Sequence, residues 1–226
     1  MPFAKKLRTY GIEFCDPTLL QLALTHRSVG SDNNERLEYL GDAALGLVIA
    51  EALFTRMPEA DEGLLSRFRS NLVCGDSLAE IGKKLGIGAE LHLGEGELKT
   101  GGRRRASILA DAVEAVLGAV LLDSGFARTK TLILEIFADR LQNLPAAETL
   151  KDPKTRLQEW LQGRGADLPF YRLLKSEGAD HQRSFVVECQ VNEKQQFIGR
   201  GSSRRKAEQS AAQHALGTLA PETKSR

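Results

Sequence analysis

The stretch NNERLEYLGDAALGLVIAEALF, residues 33–54, predicts a long helix with a row of carboxylates along one face. Glu35, Glu38 and Asp42 follow one another at spacings of three and four residues, which places their side chains on the same side of a helix. The stretch has no basic residue after Arg36. These carboxylates therefore need a positive partner from elsewhere in the molecule.

A second stretch, ASILADAVEAVLGAVLL at residues 106–122, predicts a helix that is apolar on nearly every side. Such a helix belongs in a core, yet Asp111 and Glu114 interrupt it three residues apart. An unpaired carboxylate in a core costs on the order of several kcal/mol unless a cation compensates it. If the two stretches pack face to face, both acids meet Glu38 and Asp42, and the simplest compensation is a bound divalent metal ion.

The predicted site offers hard oxygen ligands without histidine or cysteine, a set that favours Mg²⁺, or Mn²⁺ in its place, over zinc. Mg²⁺ keeps several waters, so such a site holds a nucleophile together with a substrate oxygen. Pairs of these ions recur in enzymes that cut phosphodiester bonds. The pattern therefore indicates metal-dependent hydrolysis of a phosphodiester.

Two further acidic residues have interpretations that stay open. Glu35 lies three residues after Asp32, where it either completes a capping box at the start of the helix or joins the acidic cluster. Glu62, in the segment PEADEGLLSRF, fits the first turn of another helix as well as it fits a metal site.

Composition narrows the class of protein. The 226 residues are 42% hydrophobic, which is enough for one large domain or two ordinary ones. Residues 1–145 hold 17 basic and 20 acidic side chains, a net charge of −3, whereas residues 146–226 hold 14 and 10, a net charge of +4. This asymmetry predicts metal chemistry in the first part and binding of an anion in the second.

Neither export nor membrane insertion is indicated. The three cysteines, Cys15, Cys74 and Cys189, are scattered and odd in number, which favours reduced thiols over disulfides. The N-terminal residues lack the apolar core of a signal peptide, and the longest apolar stretch, which contains Glu51, is too short to cross a bilayer. We expect a cytoplasmic protein with no membrane partner.

Residues 1–145 predict an all-α domain with no convincing strand. The segment 94–105 is rich in Gly and Arg and predicts a loop. Ser107 is placed to cap the apolar helix that follows, and we expect that helix to end near Gly125.

A linker is predicted at residues 146–151, after which the periodicity changes. Residues 153–162 predict a short helix with Asp152 as its cap. Three strands and a second helix follow, at residues 170–177, 185–191, 195–201 and 203–219. The order α-β-β-β-α describes a small α+β domain, which we place at residues 152–222.

The last helix begins with the basic triplet Arg204, Arg205 and Lys206, directly after Ser203. Free N–H groups and the helix dipole attract phosphate at such a terminus, although a solvated basic face is the plain alternative. The few aromatic residues of this half fit core positions. This disfavours a single-stranded ligand and favours a duplex bound through its shape and backbone.

These motifs together resemble the ribonuclease III family. NERLEYLGDAAL, residues 34–45, is similar to the signature motif of that family, usually NERLEFLGDAVL, and ILADAVEAVLGAVLLDSG, residues 108–125, is similar to its second acidic motif. DPKTRLQEWLQ at 152–162, the turn Gly178–His181 and GSSRRKAEQSAAQHAL at 201–216 resemble the three RNA-contacting regions of a double-stranded RNA-binding domain. The resemblance covers nearly the whole chain.

The resemblance implies a homodimeric, Mg²⁺-dependent endonuclease that hydrolyses both strands of double-stranded RNA, with no small-molecule organic cofactor. It implies products with 5′-phosphates, 3′-hydroxyls and short 3′ overhangs. It also implies a role in processing the precursors of ribosomal and other structured RNAs.

The resemblance also implies roles for the acidic residues. Glu38, Asp111 and Glu114 are implied as metal ligands, with Glu114 central and catalytic. Asp42 is implied as the second catalytic residue, which binds the metal directly or through water and orients the nucleophile. The implied auxiliary acids are Glu35 and Glu62.

In the RNA-binding domain the resemblance implies contacts with two minor grooves and the phosphates between them, over ~16 bp. The residues implied at the first minor groove are Thr155, Gln158, Glu159 and Gln162. His181 and its turn are implied at the next minor groove. The residues implied at the phosphates are Arg204, Arg205 and Lys206.

Tyr39 stands where the family motif commonly has Phe, and the resemblance implies that this ring inserts into a pocket on the other subunit. Tyrosine keeps the apolar ring but adds a hydroxyl that needs a partner when buried. The segment from Lys99 to Arg105 is expected to approach RNA, with a mobile charged surface loop as the alternative.

Two other functions are weighed against the nuclease. A duplex-RNA regulator with a vestigial nuclease domain is disfavoured because all four core carboxylates are present. A metal-dependent hydrolase of a small phosphate compound is disfavoured because a small substrate needs no basic second domain.

Overall fold

The computed structural model describes residues 2–177, 183–192 and 195–220. The chain divides into two compact units, Met1–Pro145 and Ala146–Arg226. The first unit is helical, and the second combines two helices with a three-stranded sheet. The predicted fold class, an all-α domain followed by a small α-β-β-β-α domain, is confirmed.

The helices of the first unit are built around one central pair. Its α-helices are α1 Pro2–Thr9, α2 Pro17–Ala23, α3 Glu35–Arg56, α4 Glu62–Leu72, α5 Gly75–Leu85, α6 Glu95–Lys99, α7 Ala106–Ile136 and α8 Ala138–Gln142. The centre is the pair α3 and α7, with α2, α4 and α5 packed around it. Leu45, Val48 and Ile49 of α3 are fully buried there, as are Leu117 and Val120 of α7.

Two glycines bring α3 and α7 into backbone contact. A Cβ atom placed on Gly41 would lie 1.7 Å from the carbonyl oxygen of Glu114, and one placed on Gly118 would lie 2.1 Å from that of Leu37. Only a residue without a side chain fits at such separations. The close approach sets the distance between the acidic residues of the two helices.

The apolar helix is interrupted where the sequence predicts its end. Gly125, inside α7, has φ 77° and ψ 172°, a conformation that glycine adopts and other residues avoid. A second helical arm continues from this kink to Ile136, and α8 follows it.

Two local predictions for the first unit are wrong. The segment 94–105 is not a plain loop, because it contains α6 and a 3₁₀ turn at Gly102–Arg104. Ser107 does not cap α7, since the helix begins at Ala106 and the N-cap position belongs to Arg105. Short turns of this kind leave no periodic pattern for the sequence to show.

The second unit is a helix–sheet sandwich. Its elements are α9 Pro153–Gln162, β1 Phe170–Glu177, β2 Ser184–Gln190, β3 Gln196–Gly201 and α10 Arg204–Leu219. The sheet is antiparallel in the order β1-β2-β3, with a register shift between Leu173 and Lys175. The predicted bounds of α9 and β1 are confirmed residue for residue, and Asp152 caps α9 by accepting a hydrogen bond from the Lys154 amide.

One face of this sheet packs on both helices. The core contains Leu157, Leu161, Cys189, Val191, Ala211, Ala212, Ala215 and Leu216. Its small alanines lie on the inner face of α10, as the sequence predicts, so the charged residues of that helix remain outside. No helix within the described ranges is long and apolar enough to cross a membrane.

Candidate active site and RNA-binding surface

Three carboxylates from α3 and α7 meet at one point of the first unit. Oxygen atoms of Glu38, Asp111 and Glu114 all lie within 4.8 Å of one another, and each residue is half-buried. Asp111 and Glu114 share a face of α7 because they are three residues apart. The backbone contact of Gly41 with α7 brings Glu38 to the same face.

Asp42 lies one helical turn beyond Glu38 and is exposed. Its oxygens are not in the closest group of three, but its negative charge acts on both Glu114 and Glu38. The structure therefore brings the four predicted acids together as a half-buried group of three with the exposed Asp42 next to it.

The electrostatics of this group favour a bound cation. Burial, together with the negative charges of Asp42, Glu38 and Asp111, raises the pKa of Glu114 from its ordinary value of 4.5 to about 8. Burial also raises the pKa of Glu38 and of Asp111. Removing this repulsion requires either protons or a positive ion.

The donor set fits a hard divalent metal ion. The group contains carboxylate oxygens without histidine or cysteine, and Mg²⁺, Ca²⁺ and Mn²⁺ prefer such ligands. In the described part of the chain, no lysine or arginine makes an ion pair with any of its three members. The residues thus fit the metal that the sequence predicts.

A polar cavity of about 250 Å³ adjoins the acidic group. Glu38 and Asp111 line it, together with the basic residues His26, Arg27 and Arg105. Arg105 belongs to the segment from Lys99 to Arg105 that was predicted to approach RNA, whereas His26 and Arg27 were missed because they lie in the turn before α3, outside the acidic motifs.

Glu35 and Glu62 lie outside the group of three. Glu35 is exposed, and its Oε1 atom is 3.4 Å from Nη1 of Arg27. The capping-box interpretation of Glu35 is wrong. The N-cap of α3 is Asn34, so Glu35 is the first residue of the helix, whereas a capping box needs it at the third. Glu62 accepts a hydrogen bond of 2.7 Å from the hydroxyl of Ser66, one turn later in α4.

The outer face of α3 is apolar and uncovered. Tyr39 is 79% exposed, Phe54 is 70% exposed and Leu47 is exposed between them. Leu47, Phe54 and Leu65 line a cavity of about 630 Å³ between α3 and α4, and Glu62 lies at this cavity. An exposed apolar area of this kind marks an interaction surface.

In the second unit, the predicted groove residues share one face. Thr155, Gln158, Glu159 and Gln162 are all exposed on α9, at spacings that place them on the same side of the helix. Lys151 pairs with Glu159 at 2.8 Å. His181, the remaining groove residue of the prediction, lies outside the described residues.

The basic triplet occupies the first turn of α10. Ser203 caps this helix by accepting a hydrogen bond of 3.2 Å from the amide of Lys206. Arg204 lies 3.0 Å from Glu208, and Arg205 lies 3.8 Å from Asp152. All three basic side chains are exposed, so they can exchange these partners for phosphate.

The family models agree with this division of the chain. The model for "Ribonuclease-III-like" matches residues 16–141, and the model for "Double-stranded RNA binding motif" matches residues 153–219. The chain belongs to the ribonuclease III family. The first match covers the acidic group, and the second covers α9, the sheet and α10.

Curated relatives match the ribonuclease III chain over almost its full length. A protein named Ribonuclease 3 from Vibrio vulnificus strain YJ016 is 51% identical over 96% of this chain and 97% of its own. Proteins of the same name from Xylella fastidiosa strain M23 and Methylococcus capsulatus are 54% and 52% identical, over 92% and 97% of this chain and 92% and 96% of their own.

Solved structures of the family match the first unit. The nuclease domain of ribonuclease III from Campylobacter jejuni superimposes with a TM-score of 0.58 at 42% identity. The match covers 60% of this chain and 96% of the Campylobacter chain, whose structure was described for flexibility in a region involved in dimer formation. The helical fold of the first unit is thus that of a known nuclease domain.

Proposed function

We propose that Glu38, Asp42, Asp111 and Glu114 form the hydrolytic centre of this chain. As a member of the ribonuclease III family, the chain is an endoribonuclease that acts on double-stranded RNA. The observation that carries the assignment is the convergence of three half-buried carboxylates within 4.8 Å.

The family implies a divalent metal, and we assign it as Mg²⁺, with Mn²⁺ as a substitute. Glu38, Asp111 and Glu114 would hold it, because their oxygens already face one another. When bound, the ion stabilises the negative charge that develops on the phosphate during cleavage. It would also compensate the burial and the repulsion that raise the pKa of Glu114.

Asp42 is exposed at the open side of the group, where water and RNA have access. We assign it to orient the attacking water by accepting a hydrogen bond from it. The water oxygen forms a bond to phosphorus while the bond to the 3′-oxygen breaks. This gives 5′-phosphate and 3′-hydroxyl ends, with short 3′ overhangs when both strands are cut.

The second unit supplies affinity for the duplex. We assign the exposed face of α9 to one minor groove of RNA and the first turn of α10 to its phosphates. The four exposed polar residues of α9 and the basic cap of α10 support this assignment. His181 remains a prediction for the second minor groove.

We propose that the chain works as a homodimer through the outer face of α3. The exposed ring of Tyr39 and the cavity lined by Leu47, Phe54 and Leu65 would complement one another across two copies. Two active centres, one for each strand, would then follow from one symmetric contact. Changing Tyr39 to Ser should shift the chain toward monomer in analytical ultracentrifugation, whereas an unchanged dimer would contradict this contact.

The remaining assignments concern the setting of the enzyme. We place the nuclease domain at residues 1–145, a linker at 146–151 and the RNA-binding domain at 152–222. We propose a cytoplasmic location and a role in processing ribosomal and other structured RNA precursors. Glu35 and Glu62 remain auxiliary, since neither reaches the metal group within one chain.

Cleavage of a defined hairpin RNA tests this function. The full chain with Mg²⁺ should cut the hairpin, and mapping of the ends should show 5′-phosphates and overhangs, whereas EDTA should stop cleavage and leave binding intact. Binding without cleavage at any Mg²⁺ or Mn²⁺ concentration would instead support the duplex-RNA regulator as the function.

A further inference from the structure

The geometry points to Arg27 as a further residue of the active site, which binds a phosphate group of the RNA beside the acidic group. Glu35 acts through it as a positioning residue that holds the guanidinium in place. The inference rests on the endonuclease function proposed above, and it assigns a role to two residues that face the same cavity.

The cavity that Arg27 lines is suited to a phosphate group. Its volume of about 250 Å³ leaves room for a phosphate and several waters, since one water takes roughly 30 Å³ of liquid volume. Its charged lining consists of the acids Glu35, Glu38, Glu97 and Asp111 and the basic side chains of His26, Arg27 and Arg105. A phosphate in this space would share the cavity with two of the acids that would hold the metal ion and with the Arg27 guanidinium.

Among the basic residues of the cavity, Arg105 is already engaged. Its Nη1 atom is 2.6 Å from Oε2 of Glu97, and its Nη2 donates a hydrogen bond of 2.9 Å to the hydroxyl of Thr100. These contacts join α6 to the start of α7. Arg105 is therefore held by two partners and is less exposed than Arg27, with 43% of its side chain accessible against 70%.

His26 is also held by the protein. Its Nδ1 atom lies 2.8 Å from the hydroxyl oxygen of Ser28, and the Ser28 amide donates a hydrogen bond of 3.2 Å back to Nδ1. Only the other ring nitrogen of His26 is then free of these contacts, so His26 offers a phosphate fewer hydrogen-bond donors than a guanidinium does.

Arg27 has donors to spare. In the described part of the chain its ion pair is the contact of 3.4 Å with Glu35, made by Nη1 alone, and its side chain is 70% exposed. A guanidinium carries five N–H donors in a planar fork that matches two phosphate oxygens. Most of that fork faces solvent and the cavity.

The charge of Arg27 already reaches the metal-binding acids. Its attraction lowers the pKa of both Glu38 and Asp111, against the opposite effect of burial. Arg27 also lines the same cavity as both carboxylates. A phosphate held by the metal ion in this cavity is therefore a candidate ligand of Arg27.

The turn that carries Arg27 is fixed on both sides. His26 donates a backbone hydrogen bond of 3.0 Å to His92, Val29 donates one of 3.0 Å back to His26, and the Gly94 amide donates one of 2.9 Å to the Ser28 hydroxyl. Binding at such a turn requires little ordering of the backbone. Glu35, at the start of α3, then limits the rotation of the side chain itself.

Two measurements on full-length variants test the inference. The first is the single-turnover cleavage rate of a hairpin RNA with Mg²⁺. The second is the salt dependence of RNA binding, measured by fluorescence anisotropy in a Glu114→Gln background so that the RNA stays uncut. Arg8→Ala is the matched control, because Arg8 forms an exposed pair of 3.0 Å with Glu13 away from this cavity.

Arg27→Ala should slow cleavage by about 10- to 100-fold. It should also reduce the slope of log affinity against log salt by about 1 for each active site that contacts the RNA, as expected for one lost phosphate contact. Arg27→Lys should keep the salt slope and recover only part of the rate, because a point charge cannot bind two oxygens at once. Glu35→Gln should slow cleavage by a smaller factor without changing the slope. Arg8→Ala should change neither quantity.

Thermal midpoints should stay within about 2 °C of the wild type for all four variants, since exposed ion pairs contribute little stability. Arg27→Ala that cuts within twofold of the wild-type rate would overturn the inference, and so would a slow variant with an unchanged salt slope. A wild-type chain that fails to cut duplex RNA would instead remove the proposed function on which the inference rests.

Discussion

The acidic group of the first unit consists of Glu38, Asp111 and Glu114, and the basic turn of the second unit is the first turn of α10, with Arg204, Arg205 and Lys206. The charges of these two regions are compensated in opposite ways. Glu38, Asp111 and Glu114 are half-buried with raised pKa values, and they repel one another. Arg204 and Arg205 are exposed and have acidic neighbours at 3.0 and 3.8 Å. The first region is unfavourable until an ion binds, whereas the second is stable alone and can exchange partners.

This difference assigns chemistry and affinity to different parts of the chain. A site for catalysis needs charges that are fixed in place and poorly compensated, because such charges act strongly on whatever enters. A surface for binding a long polyanion needs exposed charges that release counterions. Changes in one region should therefore leave the property of the other almost intact.

The largest effect is expected for Glu114→Gln, which removes the charge at the centre of the acidic group. Cleavage of a hairpin RNA should fall by about 10³-fold or more, which corresponds to ~4 kcal/mol of transition-state stabilisation. RNA affinity should change by less than about threefold, because the basic turn is untouched.

The matched control for that change is Glu135→Gln, an exposed glutamate on the second arm of α7. Its cleavage rate should equal that of the wild type. Comparable turnover by Glu114→Gln would show that the acidic group is not the catalytic centre.

The second effect concerns the contact that builds the acidic group. Gly41→Ala places a methyl group 1.7 Å from the carbonyl oxygen of Glu114, so the two helices must separate. We expect a loss of ~3 kcal/mol in the free energy of unfolding, with loss of cleavage. Gly75→Ala, at the exposed first residue of α5 with open space around it, should leave both unchanged, and equal unfolding midpoints for the two variants would contradict the role of close approach.

A third prediction tests the basic turn. The double change Arg205→Ala and Lys206→Ala should weaken RNA binding by about 10-fold and flatten its salt dependence, because fewer counterions are released. The cleavage rate at saturating RNA should stay near that of the wild type. A salt slope equal to that of the wild type would show that these side chains do not contact phosphate.

The acidic group and the basic turn were predictable from the sequence to different degrees. Asp111 and Glu114 were recognisable because an apolar helix had no polar face for them, and Glu38 and Asp42 because of their spacing on α3. The helix and strand bounds of the second unit followed from changes in periodicity at residues 153–162 and 170–177. In these segments, local sequence and tertiary structure agree.

Other features depend on contacts between distant segments. The cap at Ser107 and the loop at residues 94–105 were wrong because short turns lack periodicity. The contact between Arg27 and Glu35 was not predictable from the sequence, because it depends on the path of the turn between α2 and α3. The distance between α3 and α7 likewise depends on two glycines whose positions have no pattern of their own.

The smallest predicted effect is a change in how stability depends on pH. The folded state holds the Glu114 proton more tightly than the unfolded chain, so the stability of the metal-free protein should fall as pH rises from about 4.5 to about 8. Glu114→Gln removes this titration, and its thermal midpoint in EDTA should exceed that of the wild type by ~2–4 °C above pH 8, which corresponds to about 1 kcal/mol. Equal thermal midpoints of the two proteins across the whole pH range would contradict a raised pKa of Glu114 in the folded state.

Mg²⁺-dependent stabilisation at pH 8 tests the central claim most directly, because it reports ion binding without requiring cleavage. Saturating Mg²⁺ should raise the thermal midpoint of the wild type by several degrees, since an ion that binds only the folded state stabilises it. The same addition should leave Glu114→Gln almost unchanged. An equal rise for both proteins, or no rise for the wild type, would contradict a metal ion held by Glu38, Asp111 and Glu114.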